Sequence, residues 1–519
     1  MLAAYLMVLS RLAERTGITT DEPSHILSSI LYWEGNDKLA PRDMPPLIKI
    51  TGGWAAARAG FRIVEESHPV WKTNHEWNIS QDMILRMSER SLRSSMYQAR
   101  LPLLIFPVMT SLLLWWWGRQ LFTPLTGLML AFLFMAEPTA LAHGALFKND
   151  HASAFGYLLF WYCAWRYWKK STLANATWLG VATAVAVLTK LSMLILAPIA
   201  PAIVLAVAMA RARSVPRALA ALLLVLVIPY ATAIAACQFE TQPLGFLPVP
   251  APMRTGVQAL LFNSAKETAV YLTGHRYPWG SRAYFAIGAL VKSPEVLLVL
   301  LLTGIVFLAR QFRQKALTLA DAFWLLPGAL YFSLASLSSL QLGFRLILPC
   351  LPFAILLCGA PLRLLEKHRW PLLLIATVLI APLVVYYPNY LPYFNYVSGG
   401  AANGLRYLSD SNLDWGQGLR ELRRYVNENR IEQFSLSYMG SDSVTAYLRP
   451  EFYHWIDPPF SGRPISTMLY TPPPGVYAIS ATLLTGQYFE EPYRDFYRAF
   501  RESKPIAYAG YSIYIYRFR

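Results

Sequence analysis

Apolar runs of near-constant length, separated by short polar breaks, dominate the first three quarters of this chain. They fall near residues 1–14, 101–118, 125–142, 151–168, 174–189, 191–209, 217–237, 291–309, 321–337, 346–362 and 371–388. A helix rising 1.5 Å per residue needs about 20 apolar residues to cross a hydrocarbon core of roughly 30 Å, so these runs predict about eleven membrane spans. The first is the shortest, and it lacks the basic start and small-residue cleavage site of a secretory leader. Its brevity points to a truncated or misassigned start. Two longer polar stretches, 15–100 and 238–283, break the pattern.

After about Pro388 the pattern changes. Arg420-Glu421-Leu422-Arg423-Arg424-Tyr425 reads as an amphipathic helix. Alternating runs follow at Phe434–Tyr438, Gly475–Ser480 and Tyr511–Tyr516, with Pro472-Pro473-Pro474 and glycine turns between them. Those runs predict strands of a small mixed α/β domain. The expected architecture is an α-helical polytopic membrane protein: a membrane part at 1–388, and a soluble α/β domain at 389–519.

Charge orients this arrangement. Basic clusters at Arg119, Arg166/Lys169/Lys170, Arg211/Arg213/Arg217, Arg310/Arg313/Lys315 and Arg363/Lys367/Arg369 all fall on one side of an eleven-span chain. Positive charge marks the cytoplasmic side. Residues 15–100, 143–150, 238–283 and the C-terminal domain are then expected outside. Trp115-Trp116-Trp117, Trp161, Trp165, Trp168, Tyr386 and Tyr387 lie near span edges, where aromatic rings form interfacial belts.

Composition agrees. The chain has 519 residues, 55% hydrophobic and only 15% charged, with mean hydropathy +0.35. Its net charge of +16 would suit nucleic acid, but the basic residues flank apolar runs or sit beside acids, so no nucleic-acid partner is expected. Cys163, Cys237, Cys350 and Cys358 lie in or beside apolar runs and read as small buried hydrophobes.

The candidate chemistry lies at the expected outer face. Asp21 and Glu22 open a polar loop after the first run, and Pro23 suits the first turn of a helix from about Ser24 to Trp33. Adjacent acids on a helix point about 100° apart, so one can face a substrate while the other braces the chain. Plain capping of the helix N-terminus is the competing reading. Asp150, in Ala142-His143-Gly144-Ala145-Leu146-Phe147-Lys148-Asn149-Asp150, has the same two readings. Lys190, Lys292 and Arg345 stand at outward ends of runs, where positive-inside placement does not explain them. Each either snorkels to lipid headgroups or holds a phosphate near the membrane surface. Asp21 and His25 are four apart, but the other outward histidines show no ligand spacing, and no metal site is expected.

These residues in order resemble the GT-C glycosyltransferases, in particular bacterial relatives of the dolichyl-phosphate-mannose–protein mannosyltransferase family (glycosyltransferase family 39-like). The resemblance runs through Asp21-Glu22-Pro23-Ser24-His25, Tyr32-Trp33-Glu34-Gly35-Asn36-Asp37, Pro45-Pro46-Leu47-Ile48-Lys49 and Asp150. It continues through Thr189-Lys190-Leu191-Ser192, Val291-Lys292-Ser293-Pro294, Gly343-Phe344-Arg345 and Asp410-Ser411-Asn412-Leu413-Asp414-Trp415-Gly416-Gln417.

It implies a polyprenyl-phosphate sugar donor and inverting transfer on the outer face of a bacterial inner membrane. Asp21 would be the general base. Glu22 and Asp150 would position acceptor or sugar hydroxyls, with Asp43 and His143 also at the substrate. Lys190 and Arg345 would neutralise the lipid phosphate, and Lys292 would also lie at the substrate. Relatives commonly read Glu-His-Pro-Pro where this chain has Asp43-Met44-Pro45-Pro46, so a possible metal ligand or proton carrier is missing. The cofactor is undetermined, with a divalent metal left open. The acceptor, protein or envelope glycan or lipid, is also open. Asp414-Trp415-Gly416-Gln417 is expected to join the last span to the soluble domain. A lipid or solute transporter and an oligosaccharide-transferring enzyme are the alternatives.

Overall fold

The computed structural model of the chain describes residues 1–35, 44–73, 76–211, 214–460 and 467–519. It is mostly helical. Among the described residues, five helical stretches are long and apolar enough to cross a membrane: Glu89–Leu121, Leu191–Ala210, Val215–Ala236, Glu295–Arg313 and Phe344–Leu365. Pro124–Met135 and Pro138–Gly144 make a sixth if taken as one span bent by 65°. Leu173–Val187, Ala322–Leu337 and Trp370–Tyr386 are shorter apolar helices at three more of the expected positions. Leu219, Leu223 and Val227 on one long helix, and Val299 and Leu302 on another, face outward. Such apolar surfaces are what hydrocarbon covers. The chain is a multi-pass membrane protein.

The bend has a local cause. Proline lacks an N–H and disfavours helical backbone in the residue before it, so a helix meeting Pro138 stops at Glu137. The Glu137 carboxylate then caps the next helix, accepting from the Ala140 N–H at 2.6 Å. That turn aims residues 145–149 at the site described below before the helix Asp150–Lys169 begins.

Aromatic residues correct one expectation. Trp117, Trp161 and Trp165 are buried rather than set in an interfacial belt. Trp117 packs edge-on against Tyr162 at 5.5 Å and against Phe353 at 6.4 Å. Within a membrane bundle, large rings on inward helix faces build the core. Only Trp116 of the expected triplet is exposed.

The polar stretch at 15–100 carries the helices Glu22–Trp33, Pro46–Arg58, Glu76–Leu85 and Glu89–Arg100. The C-terminal region holds a five-stranded sheet. Its strand order is Tyr453–Trp455, Phe434–Ser437, Gly475–Ser480, Ile513–Phe518, Ala507–Ala509. The first two pairings are parallel and the last two antiparallel. The helix Leu419–Glu428 lies where the amphipathic pattern predicts. The last strand starts two residues later than its alternation implies. Gly510 and Tyr511 take positive φ, at 56° and 59°, and form the turn from Ala507–Ala509.

Residues 389–418 have no strand and pack on the membrane helices. Asn395 donates to the Leu290 and Ser293 carbonyls at 2.6 and 3.0 Å. Lys292 donates to the Leu391 and Asn412 carbonyls, each at 2.7 Å.

Candidate active site

Asp21 ends a tight turn before the helix Glu22–Trp33, but its side chain makes no capping bond. It meets the Lys148 ammonium at 2.8 Å and the Arg345 guanidinium at 3.5 Å, with 33% of its side chain exposed. Arg345 reaches a second carboxylate, Asp150, also at 3.5 Å. Asp150 is fully buried and pairs with Lys190 at 3.0 Å. Neither aspartate therefore serves as a helix cap. Four segments far apart in sequence deliver two carboxylates and three cations to one place.

Arg345 is held from behind. Gly343, at φ 126°, turns the chain just before it. The guanidinium donates to Ser411 Oγ at 3.1 Å and lies 4.2 Å from the centre of the Trp415 ring. The Lys148 ammonium is 5.4 Å from the same ring. An indole face attracts cations through its quadrupole, so Trp415 backs both cations that flank Asp21. The stretch Asp414–Gln417, expected to be a connector, is part of the site. Its backbone also reaches the first loop, where the Thr20 N–H donates to the Trp415 carbonyl at 2.8 Å.

Burial works to raise the Asp21 carboxyl, but Lys148 and Arg345 outweigh it and hold the group well below the usual carboxylate range. Burial first, then Lys148, push His25 well below its ordinary value, so its ring is neutral. Its Nε2 lies 3.2 Å from the Lys148 ammonium.

Glu22 has different surroundings. Arg100 grips it with two bonds of 2.7 and 2.6 Å, and both side chains are fully buried. Its oxygens also accept from the Thr19 N–H at 2.9 Å and the Phe147 N–H at 2.8 Å. Arg100 spends its other donors on the carbonyls of Ala13, Thr16 and Gly17. Every lone pair Glu22 could offer a substrate is engaged, so it anchors the first loop instead of positioning hydroxyls.

The other expected residues divide. Lys190 and Arg345 join the cluster. The Lys292 ammonium binds backbone carbonyls and lies 4.7 Å from the Phe394 ring centre, where it braces residues 391–412 rather than the aspartates. His143 packs its ring 5.9 Å from Trp415. Asp43 lies outside the described residues. Lys148 and Arg100 were given no role from sequence, and Ser411 and Trp415 stood in the Asp410–Gln417 stretch, whose part at Asp414–Gln417 was expected only to join the last span to the soluble domain. Lys148 stands two residues before Asp150, and that spacing was its one available signal. Among the described residues no group of three or more His, Cys, Asp or Glu side chains could hold a metal ion.

An apolar cavity of about 600 Å³ is lined by Val187, Leu194, Val225, Pro229 and Met253, with Arg254 also on its wall. Val187 and Leu194 flank Lys190 in sequence.

Residues 82–233 match the family model for dolichyl-phosphate-mannose-protein mannosyltransferases. That similarity to membrane glycosyltransferases covers Arg100, Lys148, Asp150 and Lys190, and leaves out Asp21, Arg345 and Trp415. No curated protein sequence matches the chain. Among solved structures, the chain is similar to ArnT from Cupriavidus metallidurans bound to undecaprenyl phosphate, with TM-score 0.46, 13% identity, and 99% of this chain and 96% of that one covered. It is also similar to the Archaeoglobus fulgidus oligosaccharyltransferase in complex with zinc and sulfate, with TM-score 0.45, 14% identity, and 95% and 70% covered.

Proposed function

We propose that this protein is an integral-membrane glycosyltransferase. It moves a sugar from a polyprenyl-phosphate donor to an acceptor hydroxyl at the extracytoplasmic face of a bacterial inner membrane, with inversion at the anomeric carbon. The observation that carries the reading is the partly exposed Asp21 carboxylate set between Lys148 and Arg345, with Asp150 and Lys190 behind them. The apolar cavity walled by Val187 and Leu194, which flank Lys190 in sequence, is a place for the prenyl chain. The family similarity over residues 82–233 points to the same chemistry.

In this mechanism the donor phosphate enters among Lys148, Lys190 and Arg345. Its charge competes with Asp21 for the same cations. As those contacts loosen, Asp21 regains basicity that its free state lacks. Asp21 then takes the acceptor's hydroxyl proton, and the acceptor oxygen forms its bond to C1. The bond from C1 to the phosphate oxygen breaks, and its electron pair stays on the leaving phosphate. Fixed cations aimed at that growing charge lower the barrier. Asp150 stays ionised and fixes Arg345 and Lys190 in place.

The test uses membrane vesicles, radiolabelled polyprenyl-phosphate monosaccharides and the Asp21→Asn variant at equal expression. Loss of the base should cut transfer about 10²- to 10⁴-fold, while the variant binds the donor at least as tightly because its cations are freed. Full transfer by Asp21→Asn would overturn the assignment. Lipid movement across the vesicle with no transfer from any donor, mono- or oligosaccharide, would make the protein a transporter.

A further inference from the structure

At the opposite end of the helix that begins with Asp150 lies a second cavity, of about 620 Å³. It is in the range, roughly 300–1,000 Å³, of sites that hold small molecules. The helix has 20 residues, so the cavity is about 30 Å from Asp150, one hydrocarbon thickness away. It sits where four helix ends meet: Asp150–Lys169 and Leu191–Ala210 finish there, and Leu173–Val187 and Val215–Ala236 start there.

Lys169, Lys170, Arg211 and Arg217 line the cavity, and among the described residues no carboxylate does. None of the four joins the ion pairs found among the described residues. Arg211 is nevertheless fixed in place. Its guanidinium donates to the Lys169 carbonyl at 3.4 Å, to Ser171 Oγ at 3.5 Å and to the Trp168 carbonyl. These neutral acceptors orient the group without cancelling its charge. Lys169 is steered too, with its ammonium 4.5 Å from the Trp165 ring centre. Four like charges gathered around one space repel each other unless an anion joins them.

The remaining wall shows what kind of anion. Beside Tyr167, Ser171, Thr172 and Leu173, the small apolar Ala208, Ala218 and Ala221 line it, these three from two membrane helices. Their neighbours Met209 and Leu219 are exposed at 78% and 54%. A fitting occupant has a charged head among the basic groups and an apolar body continuing along those helices. Basic pockets between membrane helices suit anionic lipid headgroups in this way.

We propose that this cavity is a binding site for the phosphate headgroup of an anionic phospholipid, in the leaflet opposite the Asp21 cluster. It shares no residue with the Asp21 cluster.

The test is native mass spectrometry of the full chain in detergent, with dioleoyl phosphatidylglycerol, dioleoyl phosphatidylcholine or inorganic phosphate added. Phosphatidylglycerol should bind at one saturable site, and Lys170→Gln/Arg217→Gln should weaken it about tenfold or more. Both residues are exposed, so the core is left intact. The control Arg310→Gln/Arg313→Gln removes equal charge from another helix end and should leave binding unchanged. Equal weakening by the control would reduce the effect to diffuse surface charge and overturn the site. Equal binding of phosphatidylcholine would overturn it as well, as would displacement of phosphatidylglycerol by inorganic phosphate alone. If the double variant fails to fold, Lys169→Gln is the substitute, with the same expected loss.

Discussion

Asp21 and Glu22 are neighbours in sequence, and both pair with arginine, yet their surroundings are opposites. Glu22 and Arg100 form a closed unit: two short parallel bonds, no exposure, and a backbone partner for each remaining donor or acceptor. Asp21 and Arg345 are held loosely at 3.5 Å, with a third of the aspartate side chain open. A saturated pair resists change. An unsaturated one, with more cations than it needs, can exchange a partner for an incoming anion. The difference separates a residue that holds the loop from one that can do chemistry, a distinction that residue type alone does not make.

The sharpest way to break the comparison is to remove each charge in turn. Asp21→Asn should lose transfer with a smaller drop in melting temperature, because Lys148 loses its paired carboxylate while a third of the Asp21 side chain is open to solvent. Glu22→Gln should do the reverse in kind: it leaves Arg100 buried without its countercharge, at a cost of about 3–5 kcal/mol of stability. Thermal unfolding in detergent reads it. A Glu22→Gln protein that is fully stable but inactive would return Glu22 to the reaction. Next in size is Arg345→Lys. One ammonium cannot bridge Asp21, Asp150 and Ser411 as the guanidinium does, so transfer should fall about tenfold to a hundredfold, mostly through the donor requirement. Trp415→Leu should be milder. Losing the ring behind two cations should cost about 0.5–2 kcal/mol, with Trp415→Phe between the two, read as donor affinity.

The last test is a pH dependence from the same stretch. Burial pushes the Asp414 carboxyl up to about 7, above its unfolded value of about 3.9. A raised folded value means this group's contribution to stability is full below about pH 4 and is lost as pH rises through about 7. Melting temperature should therefore decline from pH 5 to pH 8, and Asp414→Asn should flatten that slope.

Much of this was legible beforehand, because membrane helices announce themselves locally. Apolar runs marked a multi-pass membrane protein, although among the described residues five helices, or six with the bent pair, are long and apolar enough to cross rather than eleven, and alternation placed Gly475–Ser480 to the residue. Asp21, Asp150, Lys190 and Arg345 stood out because a charge at a span end needs a reason. What escaped were relations between distant segments. Nothing near Glu22 reveals that Arg100 will close on it. Nothing near Trp415 reveals that Lys148 and Arg345 will lie against its ring. The Trp117, Trp161 and Trp165 positions were misplaced for a related reason: periodicity gives a residue's height along a helix, not whether its face turns toward lipid or toward the bundle.

The dependence of Arg345 on Ser411 and Trp415 has a consequence for the life of the chain. Synthesis runs from the N-terminus, and early parts settle first. By the time the helix holding Arg345 has been delivered, both aspartates and all three cations of the cluster exist, but the hydroxyl and the indole behind the arginine have yet to be made. The cluster therefore stays unfinished until residues 389–418 have emerged and docked, and a protein cut short before that point would be inserted yet inert.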